Sequence, residues 1–102
     1  MMKKNEIKVE PSRKSPEIYG NIELGEFHIK GISIPEDAHN FYRPFKEWLL
    51  EFVQSDSEKI QGTIELEYFN TSTSSILLDI FRHLEKVNLK KQNNQFFYLQ
   101  HS

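Results

Sequence analysis

Glu65 to Asp79 is the stretch that most limits what this chain can fold into. Glu65-Leu66-Glu67-Tyr68-Phe69 alternates as a strand does, Thr71-Ser72-Thr73-Ser74-Ser75 supplies five consecutive hydroxyls, and Ile76-Leu77-Leu78-Asp79 opens an apolar helical pattern. A strand that runs straight into a helix leaves the first backbone N–H groups of that helix without intrahelical partners. Ser and Thr are common helix N-caps, so one reading of the run is capping alone. Five in a row exceed what one cap needs. The same N–H groups, facing several hydroxyls, would receive a phosphate well, so the second reading is a phosphorylation switch.

Upstream, Ile18, Gly20, Ile22 and Leu24 alternate with polar residues, Gly25 gives a turn, and Phe27, Ile29 and Gly31 continue on a second arm, which predicts a β-hairpin. Ile34-Pro35-Glu36-Asp37-Ala38 carries a helix start, with proline at the first helical position and two acids in the first turn. Phe41, Phe45, Trp48, Leu49, Phe52 and Val53 then follow one buried helical face, and Pro44 either kinks that helix or restarts it. The helix should stop near Gln54 to Asp56. Thr63 to Phe69 reads as a strand, with Ile64, Leu66 and Tyr68 on one face and Thr63, Glu65, Glu67 and Phe69 on the other. Two glutamates on one face argue for a sheet covered by helices mainly on one side. Ser75 to Lys90 is the second helix, buried through Ile76, Leu77, Ile80, Phe81, Leu84 and Val87. Gln92 to Gln95 reads as a turn and Phe96 to Leu99 as a last short strand. The predicted fold is α/β: an N-terminal β-hairpin, then β-α-β-α-β, with both helices on one face of a mixed sheet.

A length of 102 residues bounds the chain to one small domain, and eight Phe, four Tyr and one Trp argue that it folds around large rings. The absence of cysteine removes disulfides, thiolate metal sites and a cysteine nucleophile, and fits a cytoplasmic location. No apolar run approaches the ~20 residues of a membrane span, so no membrane insertion is expected. Residues 1–14 hold five Lys/Arg against two Glu, while the rest holds eight against thirteen acids. Residues 1–14 are therefore expected as a flexible basic arm, with a short edge strand around Ile7 to Glu10, and residues 15–102 as the domain. No basic face with interleaved aromatics points to nucleic acid.

An enzyme reading does poorly. The sequence has no Gly-rich phosphate loop, no Gly-x-Ser-x-Gly elbow and no metal-ligand spacing among His28, His39, His83 and His101. Glu65 and Glu67 could pair as acid and base, but a solvated strand face explains them more simply. No catalytic residue, metal or cofactor is expected. Asn70-Thr71-Ser72 is formally a glycosylation sequon, a chance match without a secretory signal.

Ser15-Pro16-Glu17-Ile18, Gly31-Ile32-Ser33-Ile34-Pro35-Glu36-Asp37-Ala38, Phe41-Tyr42-Arg43-Pro44 with Trp48-Leu49, and above all Leu66-Glu67-Tyr68-Phe69-Asn70-Thr71-Ser72 together resemble the SiaC family of bacterial regulatory phosphoproteins. The fold of that family is similar to the STAS domains of anti-sigma-factor antagonists. The resemblance runs from Ile7 to about Lys91 and implies a STAS-like single domain acting by partner switching. It places the phosphoacceptor at Thr71, and the rest of the run, Ser72 to Ser75, is then expected to cap and shape the turn around it. It implies a cognate protein kinase, a PP2C-type phosphatase, and an effector, a diguanylate cyclase, bound and activated by the unphosphorylated form. Tyr68, Asn70, Thr71, Ser72 and Glu67 are the expected partner-binding residues.

Two departures accompany the resemblance. Ser15 stands where the family usually has threonine. After the strand matching Phe96 to Leu99 the family carries an acidic segment, another helix and a last strand, whereas this sequence stops at Ser102. A domain without that helix and strand invites homodimerisation or strand pairing with a partner. The rival to a switch is an unregulated interaction module, a homo-oligomerising α/β domain that pairs through its sheet edge.

Overall fold

The computed structural model describes residues 5–55, 60–91 and 95–101, and side chains over 5–55 and 61–85. Its elements are β1 (Glu6–Val9), β2 (Glu17–Asn21), β3 (Glu26–Ser33), α1 (Ala38–Gln54), β4 (Ile60–Phe69), α2 (Thr71–Lys91) and β5 (Gln95–His101). The five strands form one sheet in the order β1-β2-β3-β4-β5. The first two pairings are antiparallel and the last two parallel, so each helix is the crossover of a parallel pair. This is the expected mixed α/β sheet. The turn expected from Gln92 lies mostly outside the described residues.

Alternation decides which face is covered. Ile18, Phe27, Ile29, Ile64 and Leu66 join Tyr42, Phe45, Trp48, Leu49 and Phe52 of α1 and Ile76, Leu77, Ile80 and Leu84 of α2 in one buried cluster, so both helices lie on the same face. Rings fill its centre: Phe45 stacks on Trp48 at 5.6 Å, and Phe27 meets Phe45 edge-on at 5.3 Å. Burying each such side chain contributes roughly 1.5–3 kcal/mol. The opposite face carries charge, with His28 against Glu17 at 2.6 Å and Lys30 near Glu65 at 3.9 Å.

Over residues 5–14 the edge strand expected around Ile7 to Glu10 is present as β1, and the segment is tied to the domain, not a free arm. Ile7 is buried and pairs with Gly20, the Ile22 N–H donates to the Asn5 carbonyl at 2.8 Å, and the Ile34 N–H donates to the Lys14 carbonyl at 2.8 Å. Ile7 and the partly buried Val9 supply the apolar burial, and backbone pairing supplies the rest. Trp48 adds a tie, donating from Nε1 to the Asn5 carbonyl at 3.3 Å.

Both helix starts also differ from expectation. Helix α1 begins at Ala38, not at Pro35, because Asp37 is its N-cap and accepts from the Asn40 N–H at 3.2 Å. The proline that does lie inside α1, Pro44, does not restart it: the helix runs 17 residues without interruption. Pro44 and Asn40 are both exposed, so the carbonyl that loses its i→i−4 donor can turn to water. Helix α2 begins at Thr71, four residues before the expected Ser75.

Strand β4 departs from alternation at one point. Gly31 of β3 pairs with Leu66, but Ile32 pairs with Tyr68, so Glu67 is an extra residue, and Gly31 takes φ +119° there. A bulge of this kind shifts every later side chain to the other face. Tyr68, expected beside Ile64 and Leu66, is 59% exposed, and Phe69 instead packs against the core.

Candidate functional site

The hydroxyl run sits where β4 meets α2, and its residues have distinct positions. Asn70 is the N-cap: its Oδ1 accepts from the Thr73 N–H at 3.0 Å and its carbonyl accepts the first helical bond, from the Ser74 N–H, at 3.1 Å. The expectation that Ser72 to Ser75 supply the cap is corrected, since Asn70 reaches the free N–H first. Thr71 and Ser72 follow as the first two helical residues, both exposed, and Ser75 is exposed as well. Thr73, at the third helical position, is fully buried.

Burial of Thr73 is tolerated because its hydroxyl is fully engaged. Thr73 Oγ1 donates to the Ser33 carbonyl at 3.0 Å and lies 2.8 Å from Ser33 Oγ, which lies 2.7 Å from the Tyr42 hydroxyl. One assignment satisfies all three hydroxyls: Tyr42 donates to Ser33, Ser33 to Thr73, and Thr73 to the Ser33 carbonyl. Burial pushes the Tyr42 phenol up to about 12, against a smaller opposing effect of its bond to Ser33. The end of β3 and the segment after it hold the helix start at two further points, the Asn70 N–H donating to the Ser33 carbonyl at 3.1 Å and Asn70 Nδ2 to the Pro35 carbonyl at 3.3 Å.

Sequence reasoning missed this buried trio. Tyr42 follows Ala38 by four residues and precedes Phe45 by three, a spacing that could have placed it on the buried face. Ser33 and Thr73 gave no such signal, because a hydroxyl residue beside a helix start reads first as a cap.

Of the expected partner-binding residues, Glu67, Tyr68, Thr71 and Ser72 are exposed along the end of β4 and the first turn of α2, while Asn70 is half-buried and spends its side chain on the cap and on Pro35. Glu65 faces Lys30, and Glu67 is the extra residue of the bulge. They line, with Pro11, Glu17 and Lys30, an open depression of about 420 Å³ on the charged face of the sheet. Among the described residues, no cluster of three or more His, Asp or Glu could hold a metal ion, and no helix is long and apolar enough to cross a membrane.

The fold and site define a two-layer α/β domain that offers an exposed threonine at the first turn of a helix anchored to the neighbouring strand. The model of the SiaC family of regulatory phosphoproteins matches residues 9–96, and the chain belongs to that family. It is 23% identical over 84 residues to an uncharacterised protein of Pseudomonas aeruginosa (strain UCBPP-PA14), a match covering 82% of this chain and 67% of that protein. Among solved structures, SiaC of Pseudomonas aeruginosa superposes with a TM-score of 0.82 at 21% identity, covering 91% of this chain and 77% of that one. A chain from the crystal structure of the diguanylate cyclase SiaD in complex with its activator SiaC, also from Pseudomonas aeruginosa, gives 0.77 at 18% identity, covering 94% and 99%. At these identities the structural matches establish the fold.

Proposed function

We propose that this chain is a non-enzymatic regulator that works by partner switching, controlled by phosphorylation of Thr71. A cognate kinase adds the phosphate, a PP2C-type phosphatase removes it, and the unmodified form binds and activates a diguanylate cyclase in the cytoplasm. The observation that carries this reading is the placement of Thr71, exposed at the first helical position while Thr73, two residues on, is locked in the core. Membership of a family of regulatory phosphoproteins supports it, as does the fold shared with SiaC, which in Pseudomonas aeruginosa is the activator of SiaD.

Phosphorylation adds about −1.5 to −2 charges at the helix start. Its attraction to the helix dipole is worth only ~0.3–1 kcal/mol at an exposed site, too little to remodel a helix start tied to Ser33 of β3 by three hydrogen bonds and to Pro35 by a fourth. Like charges brought together across an interface cost several kcal/mol, and ~1.4 kcal/mol is already tenfold in affinity. The switch therefore lies at the partner surface, which covers Thr71 with Tyr68 as its aromatic anchor, Glu67 and Ser72 on its rim, and Asn70 holding the geometry. Binding to the diguanylate cyclase of the same cell tests this. Thr71→Asp should weaken binding at least about tenfold, and Thr71→Ala should bind normally yet carry no phosphate. Equal affinity of both variants for the cyclase would overturn the reading.

A further inference from the structure

The helix start holds a degeneracy that capping chemistry alone does not resolve. Asn70, Thr71, Ser72, Thr73 and Ser74 are all residue types that cap helices well, so α2 could begin at any of several positions with comparable capping. Each step of slip would present a different hydroxyl at the exposed first turn. A start capped by Thr71, for example, would move Ser72 to the position Thr71 now holds.

The observed start is selected by bonds outside the helix. The Ser33 carbonyl accepts from both the Asn70 N–H, at 3.1 Å, and the Thr73 hydroxyl, at 3.0 Å. Ser33 Oγ adds a second contact to Thr73 at 2.8 Å, and Tyr42 ties the group to α1 at 2.7 Å. A slip of one residue would carry Thr73 out of a fully buried place and take from the Ser33 hydroxyl and the Ser33 carbonyl the bonds that Thr73 makes to them, which a protein interior penalises. We propose that the buried Tyr42–Ser33–Thr73 hydroxyl chain is a register lock that determines which hydroxyl of the run is phosphorylated, with Thr73 as a positioning residue for Thr71. This rests on the reading of Thr71 as the phosphoacceptor, and adds that the choice of Thr71 over Ser72 is made by residues the kinase does not touch.

The test is phosphosite mapping by mass spectrometry of the full chain and its variants, each expressed in the source cell in place of the native chain. Thr73→Val keeps the side-chain shape and removes the hydroxyl, and Thr73→Ser keeps the hydroxyl. The expected result is a fall of about fivefold in the Thr71:Ser72 phosphate ratio in Thr73→Val, the size associated with losing about one net hydrogen bond, with the wild-type ratio restored in Thr73→Ser. Tyr42→Phe, which breaks the outer link of the chain, should shift the ratio in the same direction by less. A merely structural role would lower total phosphorylation without moving the ratio. An unchanged ratio in Thr73→Val overturns the lock while leaving Thr71 as acceptor. Wild-type protein with phosphate elsewhere than Thr71, or with none, overturns both. Should Thr73→Val fail to fold, as shown by loss of its far-UV spectrum, Tyr42→Phe and Thr73→Ser carry the same comparison, and an unchanged ratio in Tyr42→Phe then overturns the lock.

Discussion

The ring of Trp48 lies so close over Gly20 that a Cβ on the glycine would come within 2.7 Å of Cζ2. Across the sheet Gly20 pairs with Phe27, and Phe27 pairs with Gly62, whose own added Cβ would collide with the Phe27 ring. Two glycines thus leave the sheet surface bare where two large rings settle onto it, an arrangement seen where aromatics cover strand glycines. Trp48 cannot retreat, being 2% exposed and stacked on Phe45. Gly20→Ala should therefore destabilise the fold by about 1–3 kcal/mol, the usual cost of overpacking. Urea unfolding checks this: the midpoint should fall with the slope unchanged. A midpoint equal to wild type would mean the ring moves freely after all.

Burial of the Tyr42 phenol gives stability a signature in alkali. Its folded value of about 12 exceeds the unfolded value of about 10. Between those two, the unfolded chain has released the proton and the folded chain still holds it, so stability falls as pH rises. The contribution is fully present below about pH 10 and is lost by about pH 12, an amount on the order of 2–3 kcal/mol. Tyr42→Phe should cost about 1 kcal/mol at neutral pH through its lost bond to Ser33 and then lose less than wild type on going to pH 11. Parallel slopes for the two proteins would show that the phenol is not the group responsible.

Much of the fold was legible because period carries direct information about burial. Phe45, Trp48, Leu49 and Phe52 recur at helical spacing and are buried, and Ile64 and Leu66 alternate with glutamates and are buried too. Alternation misplaced Tyr68 and Phe69 because a bulge is a property of two strands: only the pairing of Gly31 and Ile32 with β4 shows that Glu67 is extra. At the site, Thr71 was singled out through motif resemblance, since exposure leaves no mark in hydroxyl chemistry. Thr73 was not, because its partner Ser33 lies forty positions away and no local pattern links them.

Asp79 supplies the acid-side counterpart. Lys46 of α1 donates to its Oδ2 at 3.1 Å, and that hydrogen bond, with the charge of Lys46 and smaller effects of Arg82 and His83, holds the carboxyl below the ordinary aspartate range. A lowered folded value means the stabilisation is present above about pH 4 and is lost as pH falls through the folded value. Both side chains are partly exposed, so the effect is small and screened by salt. Lys46→Met should be less stable than wild type at pH 6 in low salt, and the gap should close toward pH 2. A gap independent of both pH and salt would assign the role of Lys46 to packing of its stem.

Asn70 and Thr73 fix the same helix start from opposite ends, and their contributions should not add. Asn70→Ala loses the cap and strands the Pro35 carbonyl, for a cost of about 1 kcal/mol, within the 0.5–2 kcal/mol range of cap deletions. While Thr73 remains bonded to Ser33, neither Thr71 nor Ser72 can replace that cap, because replacement requires the helix to slip. Thr73→Val removes the obstacle, so in the double variant a neighbouring hydroxyl takes over as N-cap and recovers part of the loss. The double variant should be less destabilised than the sum of the singles by about 0.5–1 kcal/mol, a coupling typical of residues sharing one network. Chemical denaturation of the four proteins measures it. Strict additivity would mean that the cap and the buried hydroxyl act independently, and that the start of α2 is held by Asn70 alone.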